Sequence, residues 1–307
     1  MVAIILRGAK KMIKFQNVSK TYPNGTIALT DISVEIKEGE FVAILGLSGA
    51  GKSTLLRTLN QIIDCTEGNI LFNNVDINTY EMYGDDPSKE IEKRKAADPD
   101  FDSSLLNLQE VDITTIKGKD LRKMRSNIGM IFQNFNIIKR MSVLQNVLTG
   151  RVSYNPTWRT ILGLFPEADK QIAYKALDKV DILEKTYHRA SDLSGGQMQR
   201  VAIARSLAQN AKILLADEPV ASLDPITTFE VMEFIKKINV EDGITVISNL
   251  HHVDLALRYA TRIVGVRDGK LVYDIQIKDR PNKLIIDDLE KVYGRPIGQD
   301  DFVGDEE

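Results

Sequence analysis

Short apolar runs recur along the chain, and most of them are followed by a stretch with helical spacing. Near the start, residues 13–18, 32–36 and 41–45 read IKFQNV, ISVEI and FVAIL, and turn signals such as PNG separate them. Runs of this length between turn residues are typical of β-strands. We therefore expect a β-rich region at residues 12–45, then a helix in TLLRTLN at residues 54–60 and a further strand in GNILFNN.

The second half of the chain alternates apolar strands with helices. SNIGMIFQN resumes strand character at residues 126–134, and residues 142–181 are helical in composition. KILLADE (212–218) and ITVISN (244–249) are typical of buried strands, and a later Asp-Gly pair marks a hairpin. Strands that alternate with helices predict a largely parallel α/β sheet, with an antiparallel portion near the N-terminus and a helical insertion in the middle.

A polar segment at residues 81–110 interrupts this alternation. VDINTY and VDITTI bracket it, and its clusters of charge leave only isolated apolar residues without an amphipathic stripe. This composition predicts a solvated surface loop. The alternative is a regulatory or partner-binding lid, because long loops in compact domains are either disordered or functional.

The stretch PTWRTILGLF, residues 156–165, is more apolar than an exposed helix requires. Packing into the core is the simpler explanation of this composition. A docking surface for a partner is the alternative, because contiguous apolar patches on a surface mark interaction sites.

Composition narrows the class of protein without defining it. The 40 basic and 43 acidic residues give a net charge of −3, which argues against nucleic acid as a partner. The single cysteine, Cys65, excludes an internal disulfide, and we expect it to be an ordinary thiol. VAIIL, an apolar run near the start, is far shorter than the roughly 20 residues of a membrane span. For residues 1–11 we expect a flexible extension, or a protein that begins at Met12.

The clearest chemistry lies in GLSGAGKST, residues 46–54, which we call the phosphate loop. It fits the pattern G-x-x-x-x-G-K-[ST], with a predicted strand before it and a predicted helix after it. Its glycines let the backbone approach phosphates, where N–H groups and the helix end form an anion site. We expect Lys52 to reach the β- and γ-phosphates of a nucleotide and Ser53 to bind Mg²⁺.

Two carboxylates follow the apolar strand KILLA, and hydrolysis of a nucleotide needs such groups. Neighbouring residues at a strand end point in different directions, so Asp217 and Glu218 can do different work. We expect Asp217 to serve Mg²⁺ and Glu218 to act as general base or to position the attacking water.

The string LSGGQ, residues 193–197, is the signature segment. Ser194, Gly195 and Gly196 at a helix N-terminus form a second anion-binding end. With the phosphate loop and the Asp-Glu pair in this order, the chain resembles the ATP-binding subunits of ABC transporters. The resemblance covers about residues 12–274. It implies that the signature segment faces a nucleotide held by a second copy.

The resemblance implies roles for four further residues. Tyr22 matches the aromatic residue that stacks on adenine, and Gln133 matches the glutamine that reaches metal or attacking water. Asp224 matches the acid that communicates across the dimer. His251 matches the histidine that contacts the γ-phosphate, with neighbouring His252 as the alternative.

The resemblance and the motifs together name three sets of residues. The catalytic residues are Glu218, His251 and Gln133, and the Mg²⁺ residues are Ser53, Gln133 and Asp217. The residues expected to bind ATP are Tyr22, Gly46, Ser48, Gly49, Ala50, Gly51, Lys52, Ser53, Thr54, Ser194, Gly195, Gly196, Gln197 and Asp224.

In this family the fold is a RecA-like P-loop NTPase core (α/β) with an antiparallel β portion and an α-helical subdomain, here expected at about residues 134–193. Residues 275–307 are expected to add a C-terminal helix and an acidic tail. GRVSYNPTWRTILGLFPEADK and ADEPVASLDP look most similar to the ATPases of bacterial phosphonate importers. That resemblance implies a homodimer on the cytoplasmic face of the cell membrane, with permease subunits and a periplasmic or lipid-anchored solute-binding protein. The alternatives are an importer of another small solute and a soluble ABC ATPase outside transport.

Overall fold

The structure is a computed structural model that describes residues 12–84, 86–98 and 101–303. The expectations for residues 1–11 and for the last four residues of the acidic tail lie outside the described residues. The strands are β1 (Ile13–Thr21), β2 (Ile27–Ile36), β3 (Phe41–Leu45), β4 (Glu67–Asp76), β5 (Glu81–Met82), β6 (Leu108–Asp112), β7 (Ile128–Ile131), β8 (Ile213–Asp217), β9 (Thr245–Asn249), β10 (Arg262–Arg267) and β11 (Lys270–Gln276). The α-helices are α1 (Lys52–Thr58), α2 (Pro87–Ala97), α3 (Gly118–Ser126), α4 (Val143–Leu148), α5 (Thr157–Ile161), α6 (Glu167–Lys179), α7 (Gly195–Ala208), α8 (Pro225–Asp242), α9 (Val253–Tyr259) and α10 (Asn282–Tyr293).

The central sheet has six strands in the order β11-β10-β3-β9-β8-β7. Every neighbouring pair in it is parallel except β10 with β11. All residues of β3, β8 and β9 are buried, as their continuous apolar runs predict for strands covered on both faces. The largely parallel α/β sheet expected from the sequence is confirmed.

An antiparallel sheet forms the second layer, in the order β2-β1-β4-β5, with β6 paired to β4. Apolar side chains from its inner face, such as Ile13 and Phe15, share one buried cluster with Leu56 of α1 and Ile44 of the central sheet. Burying α1 between the two sheets fixes the position of the phosphate loop that precedes it.

Helices α4 to α7 form a helical lobe that leaves the central sheet after β7 and returns at β8. In its core, Val201 and Ala204 of α7 share a buried cluster with Ala173 and Leu177 of α6. The sequence predicted this lobe at residues 134–193. It extends further, to the end of α7, because α7 packs on both α4 and α6.

The side chain that follows the last residue of α7 helps to fix this end of the helix to the body of the protein. The amide nitrogen of Gln209 lies 3.0–3.1 Å from the carbonyl oxygens of Arg125, Ser126 and Ile128. The opposite end of α7, at the signature segment, has an exposed residue, Ser194. The helix is therefore held at its C-terminal end, close to the central sheet.

The prediction of a loop at residues 81–110 is wrong for much of that segment, which contains β5, α2 and most of β6. No residue of α2 is buried, so an apolar stripe does not hold it. Charged pairs do: Arg94 lies 2.6 Å from Glu81, and Glu90 lies 3.1 Å from Lys212 at the start of β8. The charged clusters that suggested a solvated loop therefore attach a helix to the core.

The prediction that residues 156–165 pack into the core is also wrong. Trp158 is 58% exposed and Ile161 is 78% exposed, and Leu162 and Leu164 are exposed as well. Helix α5 is five residues long, and none of its residues is buried. The segment forms an apolar patch on the surface of the helical lobe.

The C-terminal part ends on the central sheet. Helix α10 packs against β10 and β11, as the prediction of a helix in residues 275–307 required. The hydroxyl of Tyr293 donates to the carbonyl of His251 at 3.4 Å, and burial raises the pKa of Tyr293 to about 12. Beyond the helix, Arg295 pairs with Asp301 at 2.7 Å. The C-terminal part thus contacts the loop that carries one of the predicted site residues.

Candidate active site

The predicted site residues gather at one edge of the central sheet. Because β3, β7, β8 and β9 run parallel, their carboxyl ends meet there, where ligands bind in open α/β sheets. The phosphate loop follows β3, and Gln133 lies exposed in the turn after β7. Asp217 ends β8 and Glu218 follows it, while His251 lies two residues beyond the end of β9. This topology explains why residues far apart in sequence come together.

All three glycines of the phosphate loop have a positive φ, which other residues rarely adopt, and at two of them a Cβ would also overlap nearby backbone. Gly46 has a φ of 148° and Gly51 a φ of 105°. A Cβ added to Gly46 would overlap the carbonyl oxygen of Val266, and one added to Gly51 would overlap that of Ala28. The loop can therefore curl closely around a ligand only with glycine at both positions.

Lys52 folds back over the loop that carries it. Its ammonium group donates to the carbonyl of Gly46 at 2.6 Å and to that of Leu47 at 3.0 Å. Burial lowers the pKa of Lys52, and the carboxylates of Glu218 and Asp217 oppose that shift. The cation is thus placed inside the loop, next to the two acids.

Asp217 is 1% exposed and is held by hydrogen bonds on both of its oxygens. Arg57 donates to Oδ2 from Nε at 3.0 Å and from Nη2 at 2.7 Å. Asn249 donates to Oδ1 from Nδ2 at 2.7 Å. Sequence reasoning missed both partners. The signal for Asn249 was present, because it is a polar residue at the end of a strand predicted to be buried.

Glu218 and His251 contact each other, with His251 Nε2 2.7 Å from Glu218 Oε1. Glu218 has a φ of 54°, which turns its side chain away from the direction of Asp217. His252 instead begins α9, and burial lowers the pKa of its imidazole. Of the two adjacent histidines, His251 is the one that faces the carboxylate.

Tyr22 lies beside the phosphate loop, with its hydroxyl 3.1 Å from the hydroxyl of Thr54 on α1. Its ring is partly exposed, and the ammonium of Lys20 lies 5.4 Å from the ring centre. A partly exposed ring at this position offers a face on which a planar base can stack.

The signature segment begins α7 with a capping box. Ser194 accepts a hydrogen bond from the backbone N–H of Gln197 at 3.3 Å, and Gln197 accepts one from the N–H of Ser194 at 3.0 Å. These two N–H groups, expected to face a ligand, are paired within the helix end. Gly196 is buried against Thr227 of α8, where a Cβ would overlap the threonine methyl.

The signature segment and the phosphate loop lie on separate parts of the chain. Among the described residues, no hydrogen bond or ion pair joins residues 194–197 to residues 46–54. Asp224 begins the neighbouring α8 and accepts from the N–H of Thr227 at 3.0 Å. Hydrogen bonds from the side chain and then the backbone of Thr227 lower the pKa of Asp224. The structure therefore brings Asp224 near the signature segment and leaves both outside the group around Lys52.

The oxygen donors at this site suit a Mg²⁺ ion bound by the protein and a nucleotide together, rather than by the protein alone. No group of three or more His, Cys, Asp or Glu side chains that could hold a metal occurs in the described ranges. Mg²⁺ typically takes one or two protein ligands, with phosphates and water completing its octahedron. The Nδ2 of Asn249 lies 3.5 Å from Ser53 Oγ and 2.7 Å from Asp217 Oδ1, so Ser53 and Asp217 are neighbours and fit that requirement.

A phosphate loop between β3 and α1, at the carboxyl edge of a parallel sheet, defines a P-loop nucleotide-binding protein. The family model described as ABC transporter matches residues 29–221, which is more than half of the chain. The chain belongs to the ABC transporter family. It is an ATP-binding ATPase of this class, which works as a dimer with membrane permease subunits.

Curated relatives are similar over nearly the whole chain. The phosphonates import ATP-binding protein PhnC 1 of Halalkalibacterium halodurans is 51% identical over 296 residues, 96% of this chain and 99% of the relative. The phosphonates import ATP-binding protein PhnC of Staphylococcus aureus is 50% identical over 293 residues, 95% of this chain and 98% of the relative. The family predicted from the sequence is confirmed.

Solved structures have the same fold. A dimeric ATP-binding cassette in a post-hydrolysis state, bound to ADP and Pi, is 31% identical with a TM-score of 0.66, and it covers 87% of this chain and 99% of its own. The protein cbiO1 from Clostridium perfringens, part of the transporter complex cbiONQ, is 27% identical with a TM-score of 0.67, covering 92% and 95%. The predicted RecA-like fold class is thereby confirmed.

Two further findings bear on the predictions from composition. Within the described ranges, no helix combines the length and apolarity that crossing a bilayer requires. Burial raises the pKa of the Cys65 thiol, which disfavours the reactive thiolate.

Proposed function

We propose that this protein is the ATPase subunit of a phosphonate importer, bound peripherally at the cytoplasmic face of the cell membrane. The observation that carries the substrate class is the similarity to phosphonate import ATP-binding proteins, about half identical over 95–96% of this chain. The ATPase itself does not touch the transported solute. Its own site therefore supports the coupling of ATP to transport, and only the similarity to its relatives supports the identity of the solute.

In the proposed mechanism, two copies close head to tail around two ATP molecules. The separation of the signature segment from the phosphate loop supports this arrangement, because Ser194 is exposed and does not contact the loop of its own chain. Each composite site then takes two sets of residues. One copy contributes Tyr22, the phosphate loop with Gly46, Ser48, Gly49, Ala50, Gly51, Lys52, Ser53 and Thr54, and Gln133, Asp217, Glu218 and His251; the other contributes Ser194, Gly195, Gly196, Gln197 and Asp224.

The residues at the sheet edge divide the chemistry of hydrolysis. Glu218 accepts a proton from the attacking water as general base, and His251, 2.7 Å from Glu218, donates toward the γ-phosphate. Lys52 places a positive charge on the β- and γ-phosphates. Ser53, Asp217 and Gln133 would hold Mg²⁺, which would supply neutralisation of phosphate charge when bound.

The role of His251 can be separated from that of His252 by paired alanine variants. His251→Ala should lower the ATP turnover number at least about tenfold, the scale of one lost hydrogen bond to a charged group. His252→Ala should stay within about threefold of the parent, because its imidazole does not contact Glu218 in the structure. Steady-state ATPase assays measure both. Equal losses in the two variants would contradict the assignment.

A membrane permease is the proposed partner of the helical lobe. The exposed apolar patch at residues 156–165 offers Trp158, Ile161 and Leu162 to such a partner. The lobe that carries this patch begins in the chain just after β7 and the turn that holds Gln133. Contiguous apolar patches of this kind mark interaction sites. A periplasmic or lipid-anchored solute-binding protein completes the proposed importer.

The proposed function is tested by isolation from native membranes followed by transport. The tagged chain should co-isolate with a permease of several membrane spans. Cells that carry it should take up a radiolabelled alkylphosphonate, and cells that carry Lys52→Ala should not.

Two results would contradict the proposal. Co-isolation with ribosomes or with a DNA-repair complex, without a permease, would favour a soluble ABC ATPase. Uptake of another solute class and not of phosphonates would support the assignment as an importer and contradict phosphonates as its substrate.

A further inference from the structure

Asn249 is fully buried, at 0% exposure, at the end of β9. Burying an amide costs free energy unless its groups are hydrogen-bonded, so an apolar residue would suit this strand better. Its Nδ2 lies 2.7 Å from Asp217 Oδ1 and 3.5 Å from the Ser53 hydroxyl oxygen. Asn249 thus links Ser53 and Asp217, two of the residues that we assign to Mg²⁺.

The amide orientation of Asn249 follows from chemistry. An ionised carboxylate only accepts hydrogen bonds, so the NH₂ group must face Asp217. The amide oxygen is then left without a hydrogen-bond partner among the described residues. An unpaired buried acceptor marks a place where a bound group completes the hydrogen bonding.

Arg57 holds the other oxygen of the same carboxylate. Its Nε and Nη2 both donate to Asp217 Oδ2, at 3.0 and 2.7 Å, from a side chain that is 38% exposed. The planar guanidinium fixes the direction of the carboxylate as well as its charge. Three donors on one carboxylate leave it a single orientation.

We propose that Asn249 and Arg57 are positioning residues for Mg²⁺, an inference that rests on the proposed MgATP function. They set the orientation of Asp217, and Asn249 also sets its position relative to Ser53. Neither side chain donates a hydrogen bond to the backbone of the phosphate loop, and neither takes the role of Lys52 toward the phosphates. The binding of ATP without metal therefore does not depend on them. Partners that orient metal-binding groups typically change metal affinity by about 10- to 100-fold.

The test separates metal affinity from nucleotide affinity. For Asn249→Leu, similar in size but without the amide, ATP affinity in EDTA should stay within about twofold of the parent. The affinity of the protein–ATP complex for Mn²⁺, followed by electron paramagnetic resonance of the free ion, should fall at least about tenfold.

A matched control is a second buried asparagine outside the site. Asn239 is 5% exposed and donates to the carbonyls of Gly39 and Ile244. Asn239→Leu should lower the melting temperature and leave Mn²⁺ affinity unchanged. If both leucine variants change Mn²⁺ affinity equally, or neither changes it, the proposal is overturned.

Arg57→Lys provides a second variant that does not disturb the core. It keeps the positive charge and removes the planar guanidinium that donates twice to Asp217. Mn²⁺ affinity should therefore fall at least about threefold if the orientation of Asp217 matters. If Asn249→Leu does not fold, this variant decides: unchanged Mn²⁺ affinity overturns the proposal. A parent protein whose ATP complex binds no Mn²⁺ would instead refute the metal site itself.

Discussion

Glu218→Gln is expected to retain ATP binding while the ATP turnover number falls at least about 10²-fold, the scale of a lost general base. The amide has the shape of the carboxylate and can still meet His251 Nε2, which lies 2.7 Å from Glu218 Oε1. It cannot accept the proton of the attacking water. Because hydrolysis is blocked and binding is not, the variant should accumulate as an ATP-bound dimer.

Turnover and dimer formation measure this prediction together, by phosphate release and by size-exclusion chromatography with ATP. Glu230→Gln is the control, since Glu230 is a surface carboxylate that pairs with Arg200 at 2.5 Å. Near-normal turnover of Glu218→Gln would refute the role of general base. A monomer with normal ATP affinity would refute the trapped dimer.

Ser194→Arg is expected to weaken the ATP-dependent dimer and to leave ATP binding by the monomer intact. The arginine fills space that the facing nucleotide needs, and overpacking of a fitted surface costs about 1–3 kcal/mol. That cost corresponds to about 5- to 150-fold in dimer affinity. Turnover should fall with the dimer, because each site of the proposed mechanism needs both copies.

A matched control exists in the same lobe. Ser142 begins α4 with an equivalent capping box, in which its hydroxyl accepts from the N–H of Gln145 at 3.2 Å. Ser142→Arg should cost a similar helix cap, about 1 kcal/mol, without any effect on dimerisation. Analytical ultracentrifugation with ATP distinguishes the two variants. Equal loss of nucleotide affinity and dimerisation in Ser194→Arg would show that the signature segment acts within its own chain.

The strands and the site motifs could be predicted from the sequence because local patterns determine them. Apolar runs mark the buried strands, and the phosphate loop carries its own turn glycines and its charge. The alternation of strands with helices indicates that the strands pair in parallel. Parallel pairing then puts Lys52, Asp217 and His251 at one edge of the central sheet.

The parts that could not be predicted depend on contacts between distant residues. Helix α2 has no apolar stripe and is held by pairs such as Glu90 with Lys212, which lie far apart in sequence. The exposed apolar patch has a composition that suits either core or surface. Arg57 and Asn249 meet Asp217 only in three dimensions, since 160 and 32 residues separate them from it.

Helix α7 is fixed at one end, where Gln209 contacts three backbone carbonyls, and carries Ser194 at the other. An α-helix rises about 1.5 Å per residue, so this 14-residue helix is about 21 Å long. A rotation of about 10° about the Gln209 end therefore displaces Ser194 by about 4 Å. A small tilt of α7 beside the central sheet would therefore move Ser194, at the proposed contact between two copies, by more than the length of a hydrogen bond.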